Sequence, residues 1–377
     1  MQKHNLSVII GPKTARKKQE TVLFHDLDNF NTMSFAFNDY SNEDGYKHDC
    51  KLLNARKILP DSIADLITRR PYSTTSFIEI EEIENNFNDQ DVINCIELYS
   101  FITKQFAELR KKKDYRLAIS VFGTHPFIPL HKFPPYSSNI KSVLNSADLF
   151  IAYSQKASQY LRNLSVHNDK IRVIYPGIDL KMFSRKKKNH DTFRILFVGT
   201  FFKEKGLALL LKAFYRLYMI KPNVELWICS SHRTGELEPL ARVYAKNCPV
   251  NILGYLDHQK IHRIYQQCDV FCHPSISRKR LGIKIWEEEF GFSLIEAMAC
   301  GLAIVATDCG AMPEILGENN IIIQQNSSEQ LFKALLRLFT DESFRLQIGK
   351  KNRKRAEEVF NLSKQKDMMN KVLLELT

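Results

Sequence analysis

From Arg194 onward the chain alternates between two kinds of block. Short, nearly uninterrupted apolar runs predict buried strands at RILFVG (Arg194–Gly199), VELWICSS (Val224–Ser231), VNILGYL (Val250–Leu256), VFCHPS (Val270–Ser275), LAIVATD (Leu302–Asp308) and NIIIQ (Asn320–Gln324). Between them, apolar residues recurring every three or four positions predict helices over Gly206–Tyr218, Leu237–Lys246, His258–Cys268, Ser293–Gly301 and Glu329–Thr340. Strands that are apolar throughout and separated by helices imply a parallel sheet covered on both faces.

The first half is less regular. TVLFHD, SFIEI, DVINCI, RLAISVF, DLFIAYS and KIRVIYPG read as strands, and helices fit Ile96–Arg110, Asn139–Asn145 and Gln155–Asn163. Residues 29–51 are polar and aromatic without a period and read as loop. The like-charge run RKKKNHD, Arg185–Asp191, reads as an exposed linker. The expected organisation is therefore an α/β chain of two doubly wound domains. The first covers 1–184, the linker 185–191 and the second 192–355, with a C-terminal helix in 356–377 packing back on the first.

Composition fits this picture. The 377 residues are 44% hydrophobic and 25% charged, which excludes a disordered or collagen-like chain. No apolar run approaches the roughly 18 residues of a membrane span, and the N-terminal apolar stretch is too short for a signal peptide, so a cytoplasmic chain is expected. The eight cysteines form no C-x-x-C pair. Cys268, Cys272 and His273, with His262 upstream, are the nearest thing to a metal cluster. They lie on an apolar strand pattern, which favours buried small hydrophobes. The charge, 54 − 42 = +12, favours phosphates or anionic headgroups.

In doubly wound sheets ligands bind beyond the carboxyl ends of the strands. The most informative loop there is WEEEFGFSLIEAMACG, Trp286–Gly301, where seven residues separate Glu288 from Glu296. Gly291 would permit close backbone approach to a ligand, and the helix starting near Ser293 would present open N–H groups to an anion. Carboxylates beside a phosphate are suited to accept from sugar hydroxyls, so this combination fits a nucleotide-sugar pocket. Spacing alone leaves two structural readings open. Ser293-x-x-Glu296 fits a capping box, and Glu288 fits a solvated acidic loop with Glu287 and Glu289.

The stretch EEFGFSLIEAMACGLAIVATDCGAMPEI resembles the E-x7-E signature region of the retaining glycosyltransferases of family 4, which have the two-Rossmann GT-B fold. KIRVIYPGIDLKMF, ADLFIAYSQKASQYL and FVGTFFKEKGLALLLKAF are similar to the same family. The resemblance runs from about Asp91 to the end of the chain. It implies that Glu288 contacts the donor sugar and Glu296 the nucleotide ribose, with backbone amides at Gly291, Phe292 and Ser293 facing sugar and diphosphate. It implies that Lys205, before Gly206, binds the diphosphate. Where many members carry a second phosphate-binding arginine after V-Gly199, this chain has Thr200. Lys203 or the run Arg278–Lys279–Arg280 are the basic residues that could compensate. Ser230–Ser231 stand where relatives often have glycines. In VFGTHPFIPLH, His125 occupies the position of the histidine that the family directs to the donor sugar, with His131 a second choice. The family's glycine-rich loop after the first strand is not recognisable.

The resemblance thus implies a retaining, metal-independent hexosyltransferase that needs no cofactor, its domains closing on a nucleotide-sugar donor and an unidentified acceptor, whether a carbohydrate, a lipid-linked molecule or a small molecule. Peripheral contact with an anionic membrane would suit the basic charge. Lys205→Ala and Glu288→Ala are expected to abolish transfer with the fold intact. Two D-x-D pairs, Asp26-Leu27-Asp28 and Asp89-Gln90-Asp91, carry the hard oxygen donors of metal-dependent transferases, a fold this alternation does not match. Dehydrogenase and P-loop fingerprints are missing. The competing class is a non-enzymatic nucleic-acid binder, resting on the charge and the clusters Lys111–Lys113 and Arg185–Lys188.

Overall fold

The computed structural model describes residues 3–9, 22–37, 50–59, 78–123, 129–186, 190–230 and 235–377. The chain groups into two units, 1–177 with 363–377, and 178–362.

In the first unit the strands are β1 (His4–Ile9), β2 (Phe30–Phe37), β3 (Cys50–Leu53), β4 (Ala55–Lys57), β5 (Ile78–Ile80), β6 (Val92–Ile96), β7 (Arg116–Val121), β8 (Leu149–Ala152) and β9 (Ile171–Val173). Seven of them form a parallel sheet in the order β3-β2-β1-β6-β7-β8-β9, while β4 and β5 pair separately. Its helices are α1 (Ile83–Asn86), α2 (Phe101–Leu109), α3 (Tyr136–Ser146) and α4 (Gln155–Asn163). Ser100 and Ser154 cap α2 and α4 by accepting from backbone N–H groups.

Two expectations fail here. Residues 29–51 contain β2 and the start of β3, and TVLFHD is a short 3-10 turn at Val22–Phe24 rather than a strand. The cause is visible in the hydrogen bonds. The Thr32 hydroxyl donates to the Phe24 carbonyl at 2.6 Å, and buried Ser34 lies 3.0 Å from the His25 ring. The turn thus satisfies polar residues that make β2 look like loop. The sheet's third strand, β1, also escaped the hydropathy pattern.

The second unit contains β10 (Phe193–Gly199), α5 (Leu207–Ile220), β11 (Val224–Ser230), α6 (Glu238–Asn247), β12 (Val250–Gly254), α7 (His258–Tyr265) and β13 (Val270–His273). A hairpin of β14 (Arg278–Arg280) and β15 (Ile283–Trp286) follows. The unit continues through α8 (Phe292–Ala299), β16 (Ala303–Thr307), α9 (Met312–Leu316), β17 (Ile321–Ile323), α10 (Ser328–Thr340) and α11 (Glu342–Val359). Its parallel sheet runs β12-β11-β10-β13-β16-β17, the 3-2-1-4-5-6 order of a doubly wound nucleotide-binding domain. The strand order reverses between β10 and β13, so their carboxyl ends mark the crevice where a ligand can enter.

The units divide after Gly177, earlier than the charge run at Arg185 indicated. The Ile178 N–H donates to the Phe360 carbonyl at 2.7 Å, and the fully buried Phe183 ring packs against His258, His262 and Tyr265. Residues 178–184 are held in the second unit by those contacts. The last helix, α12 (Leu362–Leu374), lies with the first unit. There Asn370 exchanges hydrogen bonds with Asn29, Lys366 pairs with Asp26, and Arg172 pairs with Glu375.

Candidate functional site

Lys205 follows β10 on a single 3-10 turn that ends at Gly206, where φ is +71°. A Cβ at Gly206 would fall 1.8 Å from the Pro274 carbonyl oxygen. Glycine here lets the start of α5 lie against the exit of β13, which brings Lys205 to the point of strand reversal. His273 is the last residue of β13, and Ser275 follows two residues later.

These elements converge on one carboxylate. Glu288 Oε2 accepts from Lys205 Nζ at 2.7 Å and from the Ser275 hydroxyl at 2.9 Å, and it lies 3.0 Å from His273 Nε2. Glu288 is 7% and Lys205 8% exposed. Burial would push the Glu288 carboxyl up, but the Lys205 ammonium and the His273 hydrogen bond more than offset it. The carboxyl is held well below the usual carboxylate range. With Nε2–H donating to Glu288, His273 Nδ1 can accept from the Ser293 hydroxyl, 3.3 Å away. The Lys205 ammonium also sits 4.9 Å from the centroid of the Trp286 ring.

The second carboxylate has a different setting. Glu296, 4% exposed, projects from α8. Its Oε2 accepts from the Tyr265 hydroxyl at 2.7 Å and its Oε1 lies 3.1 Å from His258 Nε2. Burial, with the Glu296 charge added, holds the Tyr265 hydroxyl well above its ordinary pKa, so it remains a donor. The capping-box reading therefore does not describe Glu296, and the solvated-loop reading does not describe Glu288. Of its neighbours, Glu287 is also buried and pairs with Lys284 at 2.8 Å.

Gly291 occupies the cap position of α8 with φ +81°, a conformation L-residues rarely adopt. It has no side chain with which to cap, so no side-chain cap closes the first turn of α8. Thr200, just beyond Gly199 at the end of β10, is buried, and its hydroxyl has no hydrogen-bond partner among the described residues. The basic residues considered as substitutes for a phosphate-binding arginine lie apart. Lys203 pairs with Glu236 at the surface, and Arg278–Lys279–Arg280 form β14.

His125 lies outside the described residues, as does Ser231. His131 stacks on Tyr99 at 4.6 Å in the first unit. Of the D-x-D pairs, Asp26 accepts from Lys366 and Asp91 from the Asn5 N–H. Sequence reasoning missed His273, Ser275, Trp286, Tyr265 and His258 as members of the site. The H-P-S step at the end of the fourth strand of this unit was the available signal for the first two, because that strand end borders the reversal point.

Residues 180–355 match the family model described as glycosyl transferases group 1, and residues 57–182 match that of glycosyltransferase family 4. The chain is 26% identical over 235 residues to the uncharacterized glycosyltransferase MJ1069 of Methanocaldococcus jannaschii, covering 59% of this chain and 57% of that relative. It thus spans less than two thirds of that curated relative's length. Among solved structures it resembles the sucrose-phosphate synthase of Thermosynechococcus elongatus, with a TM-score of 0.75 at 18% identity over 99% of each chain. Anabaena HepE, solved with UDP and glucose, matches with a TM-score of 0.73 at 15% identity over 99% of this chain and 100% of that one.

Proposed function

Taking the chain as what its sequence and fold make it, a family 4-like glycosyltransferase with two Rossmann-like domains, we propose that it moves a sugar from a nucleotide-diphosphate donor to an acceptor hydroxyl with retention at the anomeric carbon. The carrying observation is the cluster at the β10/β13 reversal point. It holds a buried ammonium on Lys205, an ionised carboxylate on Glu288 and the uncapped start of α8. An ammonium facing a helix N-terminus brackets a diphosphate from two sides and stabilises the negative charge that grows on it as the sugar leaves. The buried Thr200 hydroxyl, without a partner among the described residues, supplies a donor for phosphate. This bracket needs no basic residue in place of the family's arginine.

The three donors to Glu288 among the described residues all use Oε2, which leaves Oε1 to accept from a sugar hydroxyl. A carboxylate held by an ammonium, an imidazole and a hydroxyl is a poor nucleophile. The retaining reading therefore takes a front-face exchange. The bond from the anomeric carbon to the diphosphate oxygen breaks and that to the acceptor oxygen forms, and the acceptor proton passes to the departing diphosphate. Glu296 is assigned to the ribose, and His125 to a hydrogen bond with the sugar. Charge neutralisation by Lys205 and α8 makes turnover in EDTA the expected outcome.

The test is a screen of nucleotide sugars that follows nucleoside-diphosphate release and thermal stabilisation. One donor class should stabilise the wild-type chain and release its diphosphate, and Lys205→Ala should lose both responses. Equal responses from the two proteins would remove the cluster from the reaction.

A further inference from the structure

The hairpin β14–β15 lies between the two halves of the donor cluster and does something the cluster does not require. Its base is tied in. Ile276, just before β14, donates its N–H to the Glu204 carbonyl at 2.8 Å, and Trp286 at the end of β15 lies beneath Lys205. Its tip points the other way in chemistry. Leu281 is 93% exposed and Ile283 46% exposed. Lys279 and Arg280 are also exposed, whereas Arg278 and Lys284 face Glu204 and Glu287.

The turn itself is atypical. Arg280 pairs with Ile283, so Leu281 and Gly282 form a two-residue connection, with φ of +47° and +76°. Such a turn favours Asn, Asp or Gly at its first central position, because a branched side chain is strained at positive φ. Leu281 is thus held in a disfavoured backbone conformation and left in water. Lys279 lies directly opposite Lys284 in the register, but the Lys284 ammonium is answered by Glu287 at 2.8 Å, so the charge left open at the tip belongs to Lys279 and Arg280. The strained, water-exposed leucine costs the isolated protein stability, and its side chain and the two open charges are all favoured if the tip meets a surface that is anionic outside and apolar within.

We propose that this hairpin docks the chain on an anionic lipid bilayer. Leu281 and Ile283 enter the boundary between headgroups and acyl chains, and Lys279 and Arg280 lie among the headgroup phosphates. A strand advances about 3.3 Å per residue, so the five steps from Leu281 to Trp286 hold the Lys205–Glu288 cluster within about 17 Å of the interface. One consequence rests on the transfer reading above: the acceptor is then a hydroxyl carried on a lipid headgroup. The docking does not depend on that reading.

Sedimentation of the full chain with vesicles tests it, comparing phosphatidylcholine alone with phosphatidylcholine containing about one third phosphatidylserine. The wild-type chain should sediment only with the phosphatidylserine vesicles and should release as salt rises. Leu281→Asn gives the turn a residue suited to positive φ while removing the apolar wedge. It should bind about tenfold more weakly, with an unchanged or higher melting temperature and an unchanged response to the donor. A Lys279→Ala/Arg280→Ala double variant should bind about thirtyfold more weakly, at about 1 kcal/mol per charge. Wild-type chain that stays in solution with both vesicles would overturn the proposal, as would Leu281→Asn binding like wild type. Loss of donor response in Leu281→Asn with vesicle binding intact would also overturn it, assigning the hairpin to the donor site. Vesicle binding without any donor response would leave docking in place and remove the transfer reading.

Discussion

The two ends of the Glu288–Glu296 stretch are both more than nine-tenths buried, yet they are built on opposite principles. At the strand end, Glu288 is charged and balanced by a buried ammonium. At the helix end, Glu296 is held by a tyrosine hydroxyl and by His258, which is partly exposed. Removing one member of a buried ion pair strands an uncompensated charge, whereas removing one neutral donor leaves a single bond unmade. The first end is therefore sensitive to any loss of charge, and the second tolerates change in graded steps.

Glu288→Ala tests that difference most severely. It leaves Lys205, 8% exposed, without its counterion. The expected loss is about 3–5 kcal/mol of stability, measured by urea denaturation. This revises the expectation that the alanine variant keeps its fold intact. Glutamine, which keeps the shape and an acceptor oxygen, is the variant in which lost transfer can be ascribed to chemistry. A Glu288→Ala variant as stable as wild type would mean that the ion pair does not form in solution.

Lys205→Ala attacks the same end from the cationic side. Transfer should fall by about 10²–10³-fold, the usual cost of one donor to developing negative charge, read as kcat once a donor is identified. The acid limb of stability gives an independent measure. Because the folded carboxyl of Glu288 lies below its unfolded value, near 4.3, its contribution is complete above that value. It is then lost as pH falls toward the depressed folded value. The stability difference between wild type and Glu288→Gln should be constant above about pH 5 and shrink below the unfolded pKa. A difference that grows on acidification would place the proton elsewhere.

Much of this site was legible before the structure, for a physical reason. In the second unit the apolar runs are buried on both faces, so the strands, the reversal point and the loop carrying both glutamates follow from hydropathy. The partners were not legible. His273, Ser275 and Tyr265 meet the glutamates through the fold, across separations of 15, 13 and 31 residues. The first unit was harder, because β2 carries an exposed Asn31 together with Thr32 and Ser34, whose hydroxyls are satisfied by the turn before it. The hairpin was hidden for a related reason: Arg278–Arg280 reads as a solvated basic loop, and only pairing with Ile283–Trp286 makes it a strand.

At the helix end, Tyr265→Phe removes the donor to Glu296 Oε2 and leaves that oxygen buried with one bond fewer. The expected cost is about 1–3 kcal/mol of stability, with kcat affected far less than by Lys205→Ala. A collapse of kcat comparable to that of Lys205→Ala would erase the contrast between the two ends.

The smallest effect separates binding from stability by sign. The buried Thr200 hydroxyl has no partner among the described residues, so the folded chain carries its desolvation without compensation. Thr200→Val removes the hydroxyl at nearly constant shape. The unliganded variant should melt at the wild-type temperature or slightly above it. If the hydroxyl is the diphosphate's donor beside Lys205, affinity for the nucleoside diphosphate should fall by about three- to tenfold, the worth of one hydrogen bond of about 0.5–1.5 kcal/mol. Calorimetric titration of both proteins with the diphosphate reads the second effect, and thermal unfolding reads the first. Gain in stability with no loss of affinity would mean that Thr200 packs beside the site without touching its ligand, and phosphate recognition at the end of β10 would then rest on Lys205 and the amides of α8 alone.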